Sequence, residues 1–363
     1  MTAASTLTEP ATERKSKRLV VDCDIHNSLG PHALDPYLSA RWRRHSELFG
    51  YRRHQGYVYP KGAPNAARHD AWPPSGLPPG GDLEFMRQQL LDGAGIEFGI
   101  LNCLGPAAGQ LNADYATALC QATNEWQIAE WLEKEPRLRA GICVPHEDAE
   151  TAAAEVERMH DHPGFVQVLL TVRTQEPLGR RKYWKLYEAA ERHGLPIGIH
   201  FGGGQGNPLT PSGWPSYYIE DHTGMALAFQ TQVISYVCEG VFERFPGLKV
   251  VLIEGGFAWL PSMMWRLDKH WKRLREEVPH LKKPPSEYIR EHFWVTTQPM
   301  EEPHNPKHLL DVFAHHGAVD KVMFSTDYPH WDYDAPDRAF PVSVPESIRD
   351  KIFSGNAKAL YGL

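Results

Sequence analysis

The chain has 363 residues, of which 42% are hydrophobic and 23% charged, a composition that excludes a largely disordered protein. Its 38 basic and 45 acidic residues leave a formal charge of −7. No block of lysines or arginines stands out, so we expect neither nucleic acid nor an anionic membrane as a partner. No apolar run reaches the roughly 20 residues that a membrane-spanning helix needs.

The beginning of the chain and the cysteines bear on domain organisation and compartment. Residues 1–17 are polar, lack the apolar stretch of a secretory signal, and are predicted to form a disordered tail before a single domain over residues 18–363. The five cysteines include no CxxC pair. An odd number of cysteines lying mostly in apolar runs is typical of free thiols in a reducing compartment, so we expect a cytoplasmic protein.

Eight short apolar runs are predicted to be strands. Near-continuous apolar runs of this length are typical of parallel strands that are covered on both faces. In chain order they are residues 18–26, 96–103, 138–144, 165–171, 196–200, 248–254, 293–297 and 321–327. The segments between them favour helices: between the second and third strands, Tyr115, Leu119, Ala122 and Trp126 recur at spacings of four, three and four.

This alternation predicts a (β/α)8 TIM barrel. Two long insertions would lie on its carboxyl-terminal rim: a lid-like one over residues 27–83 after the first strand, and another over residues 201–224 after the fifth. The alternative is a doubly wound open sheet. It lacks support, because neither GxGxxG nor GxxxxGK[ST] follows any predicted strand.

Polar residues that can bind a metal stand where four of the predicted strands end. Asp24 and His26 end the first strand, His200 the fifth, Glu254 the sixth and Asp327 the eighth. The carboxyl ends of all strands surround one mouth of a barrel, so these side chains are expected to converge. Imidazole and carboxylate groups together are suitable ligands for a divalent metal.

With these residues at its strand ends, the chain resembles the amidohydrolase superfamily. It is similar to the amidohydrolase-2 group, which includes aminocarboxymuconate-semialdehyde decarboxylase and related aromatic-acid decarboxylases. The resemblance extends over residues 18–363 and is carried by the D-x-H at Asp24 and His26, PIGIH ending at His200, IEGGFAWLP, FSTDYPHWD and the final GNAKALYGL. It implies one divalent metal, which would be zinc, manganese or iron, bound by Asp24, His26, His200 and Asp327.

Two positions depart from the pattern of that group. Many members have His-x-His on the first strand, where this chain has Asp24, and a His acts as acid and base where this chain has Glu254. A site richer in carboxylates shifts the preference from zinc toward manganese or iron. Glu254 either bridges a second metal or transfers the proton itself.

Three further residues are candidates on the rim. His330, three residues after Asp327, would hydrogen-bond the substrate or transfer a proton. In the two insertions, His222 and Arg52 are candidates for binding the substrate, Arg52 because a guanidinium group can hold an anion through two hydrogen bonds. The expected partner is a small molecule, and the resemblance makes a homodimer the expected assembly.

These observations predict a metal-dependent enzyme that cleaves a bond next to a carbonyl or carboxylate of a small organic acid, aromatic or unsaturated. Two reactions fit. In hydrolysis, Asp327 takes a proton from water; in non-oxidative decarboxylation, Glu254 or His330 delivers a proton to carbon. The alternatives are a hydratase, a phosphate-ester or C–C hydrolase, and a barrel that binds a metal or ligand without turnover.

Overall fold

The computed structural model describes residues 20–49, 64–104, 110–203 and 213–363. In this part of the chain the eight strands form one parallel sheet in sequential order, so the predicted (β/α)8 barrel is confirmed. The strands are Val20–Ile25 (β1), Ile96–Leu101 (β2), Leu138–Cys143 (β3), Phe165–Arg173 (β4), Ile197–Gly203 (β5), Val250–Ile253 (β6), Phe293–Thr296 (β7) and Val322–Met323 (β8).

The end of the chain returns to β1 and closes the barrel. The N–H of Cys23 donates to the carbonyl of Phe324 at 3.0 Å, and the N–H of Asp327 donates to the carbonyl of Asp24 at 3.1 Å. The sequence predicts a strand over residues 321–327, but only β8 is regular. The reason is that the N–H of Phe324 donates to the carbonyl of Ile352, and those of Ser325 and Thr326 donate to the side chains of Thr297 and Asp22, so these N–H groups do not pair with a neighbouring strand.

Helices cover the outside of the sheet, and several begin at a side-chain cap. Asp82, Asn112 and Asp148 each accept a hydrogen bond from a backbone N–H in the first turn of their helix. The helices are Ala40–Phe49 (α1), Leu83–Met86 (α2), Ala113–Gln127 (α3), Ala149–Met159 (α4), Trp184–Arg192 (α5), Tyr218–Cys238 (α6), Val241–Arg244 (α7), Leu260–Trp271 (α8), Pro285–His292 (α9), His308–His316 (α10), Glu346–Asp350 (α11) and Asn356–Tyr361 (α12).

The apolar residues form two cores, as the alternation of side chains along a strand requires. The larger core lies between the sheet and the helices and includes Val250 and Leu252 of β6. The smaller lies inside the barrel and includes Val251 and Ile253 of the same strand. The helix α12 contributes Leu360 and Tyr361 to this inner core, and its Lys358 contacts Glu97 near the start of β2, so the helix covers the amino ends of the strands.

The first insertion packs against the loop that follows β8. Ala67 pairs with His330 in an antiparallel bridge, and the N–H of Arg68 donates to the carbonyl of Pro329 at 3.0 Å. The described end of the insertion therefore contacts the loop that carries one of the candidate residues. None of the described helices is both long enough and apolar enough to cross a bilayer.

Candidate metal centre

Five buried side chains converge at the carboxyl end of the barrel. Asp24, His26, His200, Glu254 and Asp327 each offer one nitrogen or oxygen atom, and these five atoms lie within 4.8 Å of one another. The structure thus brings together the four residues predicted as metal ligands and adds Glu254 to them. Asp24 lies on β1 and His200 on β5, His26 and Glu254 directly follow β1 and β6, and Asp327 lies in the chain after β8.

The contacts inside this cluster alternate between imidazole and carboxylate. The Nε2 atom of His26 lies 2.9 Å from Asp327 Oδ1 and 3.6 Å from Asp24 Oδ1. The Nε2 atom of His200 lies 3.2 Å from Asp24 Oδ2 and 3.3 Å from Glu254 Oε2. Both imidazoles therefore present Nε2 to the centre of the cluster.

Hydrogen bonds to backbone carbonyls set this orientation of the two imidazoles. His26 Nδ1 lies 2.9 Å from the carbonyl oxygen of Asn102, and His200 Nδ1 lies 2.6 Å from that of Phe201. A carbonyl oxygen only accepts, so each Nδ1 carries the proton. In a neutral imidazole each Nε2 then has a free lone pair, which is the arrangement that a metal-binding histidine needs. Burial lowers the pKa of His200, but the carboxylates of Asp24 and Glu254 outweigh it and raise this pKa to about 9, so a cation bound there would replace the proton on Nε2.

Local breaks in strand regularity bring three of the carboxylates into the cluster. The register of β1 against β2 shifts between Asp22 and Ile25, around Asp24. Along β6 the alternation would turn Glu254 away from the barrel axis, but its φ of 60° takes the backbone out of the strand conformation, and Asp327 has φ 61°. A left-handed conformation costs a non-glycine residue about 1–3 kcal/mol, and such strain is concentrated at functional sites.

Asp22 lies directly beneath the cluster and ties β1 to the chain after β8. Its carboxylate accepts hydrogen bonds from the N–H of Thr326 at 2.9 Å and from the hydroxyl of the same residue at 2.6 Å. It also accepts from the N–H of Asp24 at 3.2 Å. Asp22 therefore supports the backbone on which two of the clustered carboxylates are placed.

The charges of the cluster fit a cation. Burial, and next the repulsion between neighbouring carboxylates, raise the pKa of Asp327 well above its usual range, and burial does the same to the pKa of Glu254. Burial also acts on Asp24, but His200 and His26 outweigh it and lower the pKa of Asp24 to about 2. Buried carboxylates are costly unless a positive charge compensates them. Two nitrogen and three oxygen donors match a divalent transition metal.

His330 lies above the cluster and contacts it directly. Its Nδ1 atom is 2.7 Å from Asp327 Oδ1, and its ring lies over that of His26 with the centroids 4.4 Å apart. Burial lowers the pKa of His330 well below its usual range, which favours the neutral imidazole. The structure therefore places this predicted residue beside Asp327.

His222 lies outside the cluster but is linked to it by hydrogen bonds. Its Nε2 atom is 2.9 Å from Asp332 Oδ2. Gln298 Nε2 donates to the same Asp332 oxygen at 2.9 Å and to Asp327 Oδ2 at 3.2 Å. Arg52, the other predicted substrate-binding residue, lies outside the described residues.

Sequence reasoning missed three polar residues around the cluster. Asn102, Gln298 and Asp332 each make a hydrogen bond to a clustered side chain or to a residue bonded to one. A signal was available: Asn102 interrupts the apolar run before Cys103, Gln298 follows β7, and Asp332 stands in FSTDYPHWD. Each lies at the carboxyl end of a strand or just after it, where barrel active sites form.

A second group of metal-binding side chains lies on the surface, between α4 and α5. Glu157, His160 and His193 bring one donor atom each within 4.8 Å of the others. The two imidazole rings stack nearly parallel, with centroids 3.6 Å apart and an interplanar angle of 14°. A metal binds in the plane of an imidazole ring, so rings stacked in this way hold their lone pairs in two nearly parallel planes that do not meet at one ion. This group is a stacked pair of imidazoles, with His193 Nε2 2.8 Å from Glu157 Oε2.

The fold and the cluster define an amidohydrolase. The family model described as Amidohydrolase matches residues 21–363, and the chain belongs to this family. The predicted metal-dependent hydrolase or carboxy-lyase is thereby confirmed as a class of enzyme, as is the resemblance on which the prediction was based.

Curated relatives of this chain include several carboxy-lyases. Gamma-resorcylate decarboxylase from Polaromonas sp. (strain JS666 / ATCC BAA-500) is 31% identical over 301 residues, which cover 78% of this chain and 88% of that protein. The 2-amino-3-carboxymuconate-6-semialdehyde decarboxylase of Dictyostelium discoideum is 25% identical over 266 residues, covering 68% of this chain and 67% of that protein.

Solved structures of low sequence identity share the fold. A 2,6-dihydroxybenzoate decarboxylase complexed with 2,6-dihydroxybenzoate superimposes with a TM-score of 0.68 at 24% identity, covering 95% of this chain and 100% of that one. The 5-carboxyvanillate decarboxylase of Novosphingobium aromaticivorans, complexed with manganese and 4-hydroxy-3-methoxy-5-nitrobenzoic acid, gives a TM-score of 0.71 at 20% identity. This superposition covers 99% of the present chain and 100% of the 5-carboxyvanillate decarboxylase chain.

Proposed function

We propose that this protein catalyses the metal-dependent, non-oxidative decarboxylation of a hydroxy-substituted aromatic carboxylic acid. The observation that carries the proposal is the buried group of two histidines and three carboxylates at the mouth of the barrel, in a chain related to gamma-resorcylate decarboxylase. Decarboxylation is favoured over hydrolysis because the relatives described above are carboxy-lyases.

Asp24, His26, His200 and Asp327 are the proposed ligands of one divalent cation. Their oxygen and nitrogen donors favour manganese or iron over zinc. A cation held there supplies a positive charge that attracts the carboxylate of the substrate and an adjacent oxygen atom. His330 fixes the orientation of Asp327 through the 2.7 Å hydrogen bond between their side chains.

Glu254 is the proposed acid. Its carboxyl group is not one of the four proposed ligands, although Oε2 lies 3.3 Å from Nε2 of His200, and burial raises its pKa well above the usual range, which favours the protonated form that an acid needs. The bond between the ring carbon and the carboxylate breaks, carbon dioxide leaves, and the electron pair stays on the ring carbon. The proton of Glu254 then forms the new C–H bond, and solvent protonates Glu254 again.

Aromatic side chains on the rim are suited to a ring-shaped substrate. The ring centroid of Trp331 lies 5.2 Å from that of His222, and the indole N–H donates to the hydroxyl of Tyr218 at 3.1 Å. Trp331 follows His330 directly and keeps 46% of its surface exposed. We propose that His222 and this aromatic group contact the ring, and that Arg52 holds a second anionic group of the substrate.

The test is to separate carbon dioxide release from hydrolysis. Protein freed of metal with a chelator and reloaded with Mn²⁺ is incubated with 2,6-dihydroxybenzoate, 5-carboxyvanillate and related hydroxybenzoates, and in parallel with their amides and esters. We expect carbon dioxide and the corresponding phenol from at least one acid, and no release from the metal-free protein or from Asp327→Asn. Turnover of amides or esters alone would replace the proposal with hydrolysis.

We also propose a homodimer in the cytoplasm. Four of the five cysteines are buried free thiols, and the fifth, Cys238, is also unpaired, as in a reducing compartment.

The helix α6 has no charged residue from Thr223 to Cys238 and exposes Leu227 and Ile234, which suits contact with a second copy. Light scattering of the purified protein measures the mass, and a monomer would refute the homodimer.

A further inference from the structure

The inside of the barrel beneath the candidate metal centre contains a buried amide. Gln167 of β4 is fully buried, at a position where barrels usually place Val, Ile or Leu. A glycine on the adjacent strand β5 leaves room for it: a Cβ atom on Gly198 would lie 2.8 Å from Gln167 Oε1 and 2.9 Å from Gln167 Cδ. The barrel interior is therefore shaped around this side chain.

Gln167 belongs to a chain of hydrogen bonds that runs along the barrel axis. The hydroxyl of Tyr361, on α12, donates to Gln167 Oε1 at 2.9 Å, and Gln167 Nε2 donates to Asn102 Oδ1 at 2.8 Å. Asn102 Nδ2 then donates to Asp24 Oδ1 at 2.9 Å. This chain of hydrogen bonds connects the closed end of the barrel to a carboxylate of the candidate metal centre.

The donor-to-acceptor direction of this chain of hydrogen bonds follows from its last member, Asp24. An ionised carboxylate only accepts hydrogen bonds, so Asn102 must turn its amide nitrogen toward Asp24. The oxygen of that amide then faces Gln167 and requires a donor, which orients the second amide and leaves its oxygen for Tyr361. Each group has a partner, which is the condition under which a buried polar network rigidifies its surroundings.

Asn102 also holds His26, the residue that directly follows β1. Its carbonyl oxygen accepts from Nδ1 of His26, its N–H donates to the carbonyl of Ile25 at 2.8 Å, and Nδ2 also reaches the carbonyl of Cys23 at 3.2 Å. One buried residue thus fixes Asp24 and His26 relative to each other through both its side chain and its backbone.

We infer that Asn102, supported by Gln167 and Tyr361, is a positioning residue that holds Asp24 and His26 in the geometry needed to bind the cation. This inference rests on the proposed function only in assuming that the cluster binds a divalent metal. Partners that orient metal ligands in this way typically contribute a factor of about 10–100 in metal affinity.

The test measures metal affinity in the absence of substrate, so that it is independent of the reaction. The dissociation constant of Mn²⁺ is determined by calorimetry on metal-free wild-type protein, Asn102→Ala and Tyr361→Phe. We expect weakening of about 10–100-fold for Asn102→Ala. Tyr361→Phe removes a single hydroxyl from the far end of the chain, and the loss of one hydrogen bond predicts weakening of about fivefold.

Tyr236→Phe is the matched control. It also removes a buried hydroxyl, the one that donates to the hydroxyl of Tyr187 at 2.7 Å, but it lies outside the chain of hydrogen bonds. We expect Mn²⁺ affinity close to that of the wild type. If Asn102→Ala does not fold, Tyr361→Phe still tests the inference. If Tyr361→Phe binds Mn²⁺ as tightly as Tyr236→Phe, the inference is wrong, whatever reaction the protein catalyses. Wild-type protein that binds no Mn²⁺ would overturn it together with the proposed metal site.

Discussion

Glu254 is the one carboxyl group of the cluster that is not a proposed metal ligand. It follows β6, has a left-handed backbone conformation, and lies 3.3 Å from the imidazole of His200. Its N–H donates to the hydroxyl of Thr296 at 3.1 Å, which fixes the backbone at this point. A carboxyl group held in this way can either carry a proton or bind a metal, and a single substitution distinguishes the two.

Glu254→Gln keeps the size of the side chain but removes its acidic proton. If Glu254 is the acid, we expect one Mn²⁺ per chain to be retained while the rate of carbon dioxide release falls by a factor of about 10²–10⁴. Metal content is measured by mass spectrometry and turnover by carbon dioxide release. Loss of a second metal ion from a wild-type protein that holds two would show that Glu254 bridges metals instead.

The control for this substitution is Glu301→Gln. Glu301 is a half-buried carboxyl group, which accepts hydrogen bonds from the N–H groups of Phe257 and Ala258 and is not part of the cluster. An amide oxygen can still accept these hydrogen bonds, so turnover should stay near the wild-type rate. Similar losses in both variants would mean that the effect of Glu254→Gln is structural.

Among the elements, α10 ends in a histidine whose burial should affect stability. His316 keeps only 2% of its surface exposed, and its Nε2 atom has no hydrogen-bond partner among the described residues. Burial, reinforced by Arg290, lowers the pKa of His316 to about 4. The folded protein thus holds this imidazole neutral at pH values at which the unfolded chain protonates it.

This difference makes the stability of the protein depend on pH. The unfolded chain takes up a proton at His316 near pH 6.5, whereas the folded protein does so near pH 4, so protonation of this group favours unfolding between these values. Its contribution is complete above pH 6.5 and is lost as the pH falls. By pH 5 the loss in the free energy of unfolding should be about 2 kcal/mol.

His316→Leu isolates this contribution, because a leucine does not titrate. Urea unfolding of both proteins at pH 7.5 and pH 5.0 should show a smaller fall in the free energy of unfolding for the variant, by about 2 kcal/mol. Any acid sensitivity that arises at the candidate metal centre is common to both proteins and cancels in the difference. Equal falls in the two proteins would contradict the prediction.

On the scale of the whole molecule, the candidate metal centre joins parts of the barrel that are far apart in sequence. Asp24 and Asp327 are separated by 303 positions, and each approaches His26 through its carboxylate. Their strands are adjacent only because the chain after β8 closes against β1. A cation bound at this point would link both ends of the sheet to β5 in the middle.

Removal of the metal should therefore destabilise the entire barrel. A ligand that binds only the folded state stabilises it by about 2.7 kcal/mol at a concentration 100 times its dissociation constant. We expect the midpoint of thermal unfolding to fall after treatment with a chelator and to rise again as Mn²⁺ is added. Asp327→Asn should show a much smaller rise, and a wild-type midpoint that does not change with Mn²⁺ would refute a bound cation.

The elements and their order could be predicted from the sequence because the signals are local. Each strand is a short apolar run, and the stripe of Tyr115, Leu119 and Trp126 identifies its helix without any knowledge of distant residues. The approximate location of the candidate site was equally accessible, since the carboxyl ends of parallel strands share one mouth of a barrel. The short motifs around Asp24, His200 and Asp327 then indicated the family.

Only the tertiary structure decided how the polar residues are arranged. The hydrogen bonds of Asn102 to Asp24, of Gln167 to Asn102, and of Tyr361 to Gln167 join residues separated by 78, 65 and 194 positions. No local pattern encodes such pairings, because they exist only when the barrel has closed. The approach of Glu254 to His200 likewise depends on a left-handed backbone conformation that strand alternation does not predict. The sequence by itself determined the strands, the helices and the kinds of donor, and barrel closure determined which donors meet.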